Sequence, residues 1–593
     1  MSARHFINDP NHLVLSALKS VTLANPSVAL DQENKIIYLR PGSKPQVSLV
    51  SGGGSGHEPS FAAFVGDGLL SGAVAGTIFA SPSAEQIRRC ILERVESKQG
   101  VLVIVMNYTG DVLNFGMAVE KAKASGLDVD MVVVADDAGV GRAQGGKVGR
   151  RGIAGTVLVH KIAGALAATG APLKDVSKVA RQVSDNVVSI GSSLSHVHVP
   201  GRGTEDVEEL AVGEVEVGMG MFENPLQSIP NLTKLGIHNE AGSEKAKTNL
   251  PDLVQRMLKY MLDQSDKDRA FSSINKGDET VLLVNNLGGV SPLELGGITN
   301  EVVEQLEKTH GIKPARILSG TFMTSLNGLG FSISLLKLAD TGVGKSMLEL
   351  LDAPAEANGW SAAVSTKTWQ EKSTATREGG PGKVEAKPSG LTIDLEQTKA
   401  ALGGALSAVI NAEPEITKYD TVVGDGDCGI GLKRGAEAVQ KVLSSTSASD
   451  AAVLLDEIVA VVETNMDGTS GALYAIYLNA LATGLRAQSG GKADSKVWAQ
   501  AAKYASESMA KYTPAKVGDR TLVDALDPFV DTLEKTADVK KAAAAAEEGA
   551  NKTKGMKASL GRTVYVGGGG WQDVPDPGAH GLAIFFNGLA GKL

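Results

Sequence analysis

The chain has 593 residues, of which 42% are hydrophobic and 21% charged, and its formal net charge is −9. A chain of this length exceeds a single hydrophobic core, so we expect three or four domains or subdomains. The acidic balance argues against a nucleic-acid partner. The lack of an 18-residue apolar run or a signal-peptide core argues against a membrane or secreted protein. Cys90 and Cys428 are the only cysteines, so no disulfide framework is expected and a cytoplasmic protein is predicted.

The first part of the chain alternates buried strands with helices. Near-continuous apolar runs, typical of parallel strands covered on both faces, are Val47–Val50, Val101–Met106, Met131–Ala135 and Val281–Val284. They are followed by the polar or glycine-rich sequences SGGGSGHE, NYTGD, DDAGVG and NNLGG. Ligands of open α/β sheets bind beyond the carboxyl ends of the strands, so these four loops are candidate sites. After the first of them, Ser81 and Pro82 predict the N-cap and first residue of a helix.

The sequence GGGSGHEP, from Gly52 to Pro59, is the most distinctive of these loops. Four glycines in five residues predict a tight turn that approaches a small ligand closely. A phosphate-binding loop is one interpretation, but neither GxxxxGK[ST] nor GxGxxG is present and no lysine closes the loop. Because His57 and Glu58 add a titratable pair at its tip, we interpret the segment as a site rather than as a purely structural turn.

A composition change near residues 373–391, rich in Gly, Pro, Lys and Glu, predicts a linker. Beyond it, helical periodicity predicts an all-α domain of about eight helices. The predicted helical runs are Leu395–Ile410, Ala451–Thr464, Ala472–Arg486, Val497–Tyr512, Leu522–Thr536 and Val539–Ala550.

An acidic loop interrupts the helical part. Asp420, Asp425 and Asp427 place three carboxylates within eight residues, and such a group is stable when a cation lies among them. Hard oxygen ligands favour Mg²⁺ or Ca²⁺, although a solvated Asp-Gly turn is the alternative. Gly468–Gly471 and Asp576–Gly578 each precede a predicted helix, whose free N–H groups favour anions. Together these features predict a site for a nucleoside triphosphate with Mg²⁺.

The motifs GGGSGHEP, NYTGD, VNNLGG, GDGDCG, GALY, GDRTLVDAL and DPGA occur here in the order typical of single-chain, ATP-dependent dihydroxyacetone kinases (triokinases), which the whole chain resembles. The resemblance implies an α/β substrate-binding domain (residues 1–372) of two subdomains divided near 190–250. A linker (373–391) and a helical-barrel ATP domain (392–593) would follow. It also implies a homodimer that phosphorylates dihydroxyacetone, and often glyceraldehyde, with ATP and two Mg²⁺ ions. Some members also convert FAD to cyclic FMN.

The resemblance assigns roles to individual residues. It implies a triose pocket lined by Gly54, Ser55, Gly56, His57 and Asp111, with His57 and Asp111 as acid/base groups. It implies that Asp420, Asp425 and Asp427 bind the Mg²⁺ ions. It implies a nucleotide site formed by Asp425, Gly426, Asp427, Cys428, Thr469, Ser470, Thr513, Thr521, Leu522, Asp576, Pro577 and Gly578. His238 in GIHNEAG matches the histidine that binds the substrate carbonyl as a hemiaminal, which admits aldehydes and ketones and rejects glycerol.

The chain departs from the family pattern at two places. Met106 stands where the family has a lysine beside the substrate, just before NYTGD. A 16-residue segment, 221–236, separates Gly218-Met219-Gly220 from Ile237 and His238, which are continuous in the family. Two hypotheses explain the segment: an in-frame intron of 48 nucleotides read as coding sequence, or a genuine loop insertion. Both departures favour an alternative function, a triose-binding sensor that has lost turnover, whereas the complete acidic loop favours a kinase.

Overall fold

A computed structural model of the chain describes residues 5–42, 45–145, 147–195, 197–201, 210, 213–218, 244–361, 364–373, 375–376, 387–466, 468–560 and 570–593. The chain divides into two compact units, Met1–Ala375 and Thr376–Leu593. The first unit combines sheets and helices and the second is helical, so the predicted fold class is confirmed. Among the described helices, none is long and apolar enough to cross a membrane.

The first unit contains two six-stranded sheets. The first sheet has the order β1-β2-β4-β3-β5-β6. Its strands are β1 Val28–Asp31, β2 Ile36–Leu39, β3 Ser48–Ser55, β4 Gly72–Ile78, β5 Val101–Met106 and β6 Val129–Val134. Strands β4, β3, β5 and β6 are parallel, whereas β1 and β2 add an antiparallel edge. The carboxyl ends of β3 and β5 therefore lie at one edge of the sheet, where the second half of GGGSGHEP leaves β3 and NYTGD begins.

The second sheet has the order β11-β10-β12-β7-β8-β9. Its strands are β7 Val187–Ser193, β8 Glu214–Val217, β9 Glu244–Lys247, β10 Thr280–Asn286, β11 Arg316–Gly320 and β12 Gly330–Lys337. Only the pair of β10 and β11 is parallel among these strands. The apolar run in β10 is thus explained by burial on both faces of a mixed sheet rather than by a parallel one.

Helices cover both sheets of this unit. They are α1 Pro10–Ala24, α2 Ala84–Arg89, α3 Thr109–Ala124, α4 Arg142–Gly145, α5 Thr156–Ala168, α6 Leu173–Asn186, α7 Leu250–Leu262, α8 Pro292–Gln305, α9 Met347–Asp352 and α10 Thr366–Glu371. Helix α2 begins later than predicted, because Ser83 rather than Ser81 is its N-cap. The Ser83 side chain accepts from the backbone N–H of Gln86, whose own side chain returns to the Ser83 backbone, a capping box.

The second unit contains eight long helices in its described part. They are α11 Leu395–Val423, α12 Cys428–Ser445, α13 Ala451–Asn465, α14 Gly468–Arg486, α15 Ser495–Met509, α16 Val523–Thr536, α17 Val539–Lys552 and α18 Pro577–Ala590. Two two-residue strands, β13 Leu391–Thr392 and β14 Gly491–Lys492, form a short parallel pair that the sequence did not predict. The helices surround an apolar cavity of about 620 Å³. The acidic loop joins α11 to α12.

Candidate active site

The glycines of GGGSGHEP belong to a strand, so the predicted turn is wrong for residues 52–54. Strand β3 continues to Ser55 and all eight of its residues are buried. A Cβ atom on Gly52 would collide with the carbonyl oxygen of Val74, and one on Gly54 would lie 2.8 Å from the Cα atom of Phe79. Glycine is needed at positions 52 and 54 because the backbone of the neighbouring strand β4, and of the residues just after it, leaves no room for a side chain. The chain turns only at Gly56, where φ is 108°.

His57 lies just after this turn and is 6% exposed. Its Nδ1 atom is 2.9 Å from the main-chain oxygen of Thr324. Burial lowers the pKa of His57 to about 4, and the bond to Thr324 offsets only part of that effect. The ring lies 5.3 Å from the ring of Phe79, centroid to centroid. His57 is therefore a neutral imidazole at pH 7, with one nitrogen held by the protein.

Asp111 lies beside the strand that precedes His57. It occupies the first turn of α3 and is 4% exposed. Its Oδ2 atom would be 3.5 Å from a Cβ atom on Gly53, so the absence of a side chain there leaves space next to the carboxylate. The helix N-terminus favours the negative charge. The structure thus brings together Asp111 and the GGGSG backbone, as the interpretation of a triose pocket requires.

The remaining predicted pocket residues are enclosed. Ser55 donates its hydroxyl hydrogen to the carbonyl oxygen of Gly76 at 2.9 Å. A Cβ atom on Gly56 would lie 2.7 Å from Cε1 of Phe79. Met106, the last residue of β5, is 1% exposed and faces the position where a Cβ atom of Gly152 would be, 2.8 Å from its own Cβ. His238 and the segment 221–236 lie outside the described residues.

The DDAGVG loop was predicted as a candidate site, but the buried charged cluster that it forms was not. Asp136 and Asp137 follow β6 and are fully buried. Asp136 accepts backbone N–H groups of Ile153 and Gly155 at 2.7 and 2.9 Å, just before α5. Burial raises the pKa of Asp136, which its hydrogen bonds oppose. The adjacent acids in DDAGVG were the available signal, because two charged residues after an apolar strand need partners when buried.

In the second unit, the three predicted metal ligands converge. Asp420 lies in the last turn of α11 and is 9% exposed, whereas Asp425 and Asp427 are exposed. One carboxylate oxygen from each lies within 4.8 Å of the others. The Oδ2 atom of Asp420 accepts the N–H of Cys428 at 3.0 Å, which fixes the loop against the start of α12. Three acidic oxygen donors on a glycine-containing loop fit Mg²⁺ in donor type and charge.

Several predicted nucleotide residues lie around this loop. Burial raises the pKa of the Cys428 thiol to about 12, helped by the charges of Asp420 and Asp576, whereas the Ser470 side chain opposes the rise. Thr469 and Ser470 are in the first turn of α14. The structure therefore brings the acidic loop, the N-terminus of α14 and Asp576 into one region.

Asp576 is the N-cap of α18 and accepts the N–H of Ala579 at 2.8 Å. Burial raises the pKa of Asp576 to about 7. Pro577 and Gly578 form the first turn of α18, and a Cβ atom on Gly578 would be 3.5 Å from the Cβ of Leu522. The GDRTLVDAL and DPGA motifs are thereby neighbours.

Thr513, Arg520 and Thr521 lie in the connection between α15 and α16. Thr521 donates its N–H to Asp524 at 2.8 Å, and Thr513 accepts the N–H of Ala515 at 3.2 Å. Arg520 was missed in the sequence, although it lies within the GDRTLVDAL motif. It donates to the main-chain oxygens of residues 556, 571 and 574. Its charge partly opposes the rise that burial causes in the pKa of Asp576. Arg520 therefore ties this connection to the segment that precedes α18.

Comparisons with known proteins agree with these features. The Dak1 domain model matches residues 19–359 and the DAK2 domain model matches residues 422–591. A dihydroxyacetone kinase of Pichia angusta is 41% identical over 618 aligned residues, which cover 100% of this chain and 98% of the relative. A triokinase/FMN cyclase of Rattus norvegicus is 36% identical over 603 aligned residues, which cover 99% of this chain and 98% of the relative.

A crystal structure of the dihydroxyacetone kinase from C. freundii in complex with AMP-PNP and Mg²⁺ has a TM-score of 0.65 and 29% sequence identity, and the match covers 100% of both chains. The chain therefore belongs to the dihydroxyacetone kinase family. The family resemblance drawn from the motifs, and the kinase class that it implies, are confirmed.

Proposed function

We propose that the chain transfers the γ-phosphoryl group of ATP to a hydroxyl group of dihydroxyacetone, and also to glyceraldehyde. The observation that carries this proposal is the convergence of Asp420, Asp425 and Asp427 within 4.8 Å. A phosphoryl donor with its metal ions explains why three carboxylates share so small a volume. The full-length relative named dihydroxyacetone kinase supports the choice of substrate.

The helical unit holds the nucleotide in this proposal. Asp420, Asp425 and Asp427 ligate two Mg²⁺ ions, which neutralise charge on the phosphoryl group when bound. Backbone N–H groups at the starts of α12, α14 and α18 favour the phosphates. The nucleotide-binding residues are Asp425, Gly426, Asp427, Cys428, Thr469, Ser470, Thr513, Thr521, Leu522, Asp576, Pro577 and Gly578.

The α/β unit holds the triose. Gly54, Ser55 and Gly56 form the wall of its pocket, next to Met106. His57 and Asp111 are the acid/base pair, and one of them accepts the proton of the attacking substrate hydroxyl. The hydroxyl oxygen then forms a bond to the γ-phosphorus while the bond from that phosphorus to the leaving oxygen of ADP breaks. A His57 that is neutral at pH 7 supports such a role.

His238 anchors the substrate carbonyl as a hemiaminal in this proposal. Segment 221–236 precedes it in the chain, so its origin decides whether the histidine is positioned as in relatives. We propose that the segment is a translated intron. Sequencing the messenger tests this: transcripts without the 48 nucleotides support the proposal, and transcripts that all retain them refute it.

A coupled assay of ADP release tests the kinase. The protein is expressed from the spliced sequence and supplied with ATP, Mg²⁺ and dihydroxyacetone, with glycerol as the control because it lacks a carbonyl. Turnover with dihydroxyacetone but not with glycerol supports the proposal. Triose binding without ADP release would instead favour the sensor function.

A second activity, conversion of FAD to cyclic FMN, is favoured by one observation. The relative from Rattus norvegicus is named triokinase/FMN cyclase and matches over the whole length. Incubation with FAD and Mn²⁺ tests this activity, with the Asp425→Asn variant as the control. Cyclic FMN from the wild-type chain alone supports it, and its absence refutes it.

We further propose that the chain acts as a homodimer in the cytoplasm. The described cysteines Cys90 and Cys428 are free thiols, which suits a reducing compartment. Light scattering that gives twice the 61.3 kDa chain mass supports the dimer, and the monomer mass refutes it.

A further inference from the structure

A segment distant in sequence holds the turn that carries His57. We call residues Phe322–Leu326, which follow β11, the cradle segment. Its backbone receives the hydroxyl of Ser60 on the oxygen of Phe322 at 2.8 Å. It also donates the N–H of Leu326 to the oxygen of Gly56 at 2.7 Å. The cradle segment is therefore hydrogen-bonded to residues before and after His57, namely Gly56 and Ser60.

Thr324 is the central residue of the cradle segment and is 6% exposed. Its N–H donates to the oxygen of His57 at 3.1 Å, and its hydroxyl donates to the oxygen of Glu58 at 2.8 Å. Its own main-chain oxygen lies 2.9 Å from Nδ1 of His57. Three polar groups of one residue thus fix the backbone and the ring of the histidine.

Asn285 fixes the cradle segment from the other side. It is the penultimate residue of β10 and is fully buried. Its Oδ1 accepts the N–H groups of Phe322 and Met323, both at 2.9 Å. Its Nδ2 donates to the oxygen of Met323 at 2.7 Å and to the hydroxyl of Ser332 at 3.1 Å. Because both ends of the amide are bonded, the side chain has one orientation.

These contacts decide which nitrogen of His57 carries hydrogen. A carbonyl oxygen only accepts, so Nδ1 must be the protonated nitrogen and Nε2 carries the lone pair. Among the described residues, Nε2 has no hydrogen-bond partner. We propose that Asn285 and Thr324 are positioning residues that hold His57 in the Nδ1–H tautomer, so that Nε2 acts as the general base toward the triose hydroxyl. This inference rests on the proposed kinase function.

The neighbouring Asn286 offers a matched control. Its Oδ1 accepts the N–H groups of Gly288 and Val290 at 2.8 and 3.2 Å, and its Nδ2 donates to the oxygen of Val290 at 2.8 Å. These bonds stay within residues 286–290. Asn286 is 6% exposed, so its truncation costs buried hydrogen bonds of the same kind, none of which is made directly to the cradle segment.

The experiment compares Asn285→Ala with Asn286→Ala in the full chain. We expect Asn285→Ala to lower kcat/KM for dihydroxyacetone by about 100-fold, because a misplacement of the base by about 1 Å has that effect. The KM for ATP is expected to stay unchanged. For Asn286→Ala we expect a loss of roughly threefold or less with a similar fall in Tm. Equal kinetic losses in the two variants would overturn the inference.

Thr324 supplies a second, milder series. Thr324→Val keeps the shape and removes the hydroxyl bond to Glu58, and we expect about a tenfold loss of kcat/KM. Thr324→Ser keeps the hydroxyl and should restore the rate to within about twofold. A loss in Thr324→Ser as large as that in Thr324→Val would contradict the assigned role of this bond.

Nitrogen-15 NMR of histidine-labelled protein identifies the tautomer of His57 in a measurement that does not depend on catalytic activity. The His57 signal is identified by its absence in His57→Gln. We expect Nδ1–H in the wild type and a mixture of both tautomers in Asn285→Ala. An Nε2–H tautomer in the wild type refutes the inference, whatever the activity. A chain with the Nδ1–H tautomer but no turnover would refute the kinase function and leave the positioning role in place.

Discussion

The guanidinium group of Arg151 and the carboxylate of Asp137 form an ion pair inside the α/β unit. Nη2 of Arg151 lies 2.8 Å from Oδ2 of Asp137, and the two side chains are 7% and 0% exposed. The same Nη2 donates to the oxygen of Gly218, just beyond β8, at 2.6 Å. This pair thus joins the DDAGVG loop of the first sheet to the end of a strand in the second.

Removal of Arg151 should therefore destabilise the protein strongly. Arg151→Met leaves the Asp137 charge buried without its cation, and we expect the free energy of unfolding to fall by about 3–5 kcal/mol. The matched control is Arg181→Met, because Arg181 pairs with Asp130 at 2.7 Å with side chains 49% and 39% exposed. The control should cost less than about 1 kcal/mol. Urea unfolding of both variants measures these changes, and equal losses of unfolding free energy in the two variants would contradict the prediction.

The buried imidazole of His160 is expected to lower the free energy of unfolding, so a substitution that removes the imidazole should raise that free energy. The side chain is fully buried on α5, and neither ring nitrogen has a hydrogen-bond partner among the described residues. The rings of Phe61 and Phe64 lie 5.8 and 6.4 Å away, centroid to centroid. His160→Leu fills a similar volume without a polar group, and we expect a gain of about 1 kcal/mol at pH 7. A loss of stability in urea unfolding would show that the imidazole is satisfied.

The same substitution should flatten the pH dependence of stability. Burial lowers the pKa of His160 to about 3, whereas the unfolded group titrates near 6.5. Between these values only the unfolded chain takes up the proton, so stability falls as pH drops below 6.5. From pH 7 to pH 5 this group should cost about 2 kcal/mol, a loss that His160→Leu removes. His12→Leu, at an exposed position of α1, is the control; an unchanged slope in His160→Leu would refute the prediction.

Neutralising one acidic-loop residue should separate stability from activity. In Asp425→Asn we expect the Tm in EDTA to rise slightly, because one of three carboxylates within 4.8 Å no longer repels the others. The Mg²⁺-dependent rise in Tm should disappear, and kcat should fall by about 1,000-fold. Asp573→Asn, an exposed acid in the same unit, is the control. An unchanged Mg²⁺ response in Asp425→Asn would exclude this residue as a ligand.

The sequence was informative where residue type carries the chemistry. The convergence of Asp420, Asp425 and Asp427 was predictable, because three carboxylates within eight residues favour a shared cation. It was uninformative about the partner of His57, because Thr324 contributes a main-chain oxygen that every residue has. The two are 267 positions apart, and only the folded chain brings them together.

Local signals also competed with one another. The glycines of β3 predict a turn by conformational preference, yet they are needed because the backbone of the neighbouring segment is too close for a side chain. Proline at position 82 favoured Ser81 as the N-cap, but Gln86, three residues after Ser83, supplies the reciprocal bond of a capping box. In both cases a contact beyond the nearest neighbours decided the structure.

Met106 is the position where catalysis and stability are expected to change in opposite directions. It is 1% exposed at the end of β5, where the family resemblance implies a lysine beside the substrate. In Met106→Lys we expect kcat/KM for dihydroxyacetone to rise about tenfold, because an ammonium group donates a charge-assisted hydrogen bond to a substrate oxygen. We expect Tm to fall, because the charge is buried when no substrate is bound. Met106→Leu, which adds no donor, is the control and should leave kcat/KM within about twofold. The coupled assay measures kcat/KM for dihydroxyacetone in both variants. If Met106→Lys shows no higher kcat/KM than Met106→Leu, the lack of a cation at position 106 does not limit catalysis.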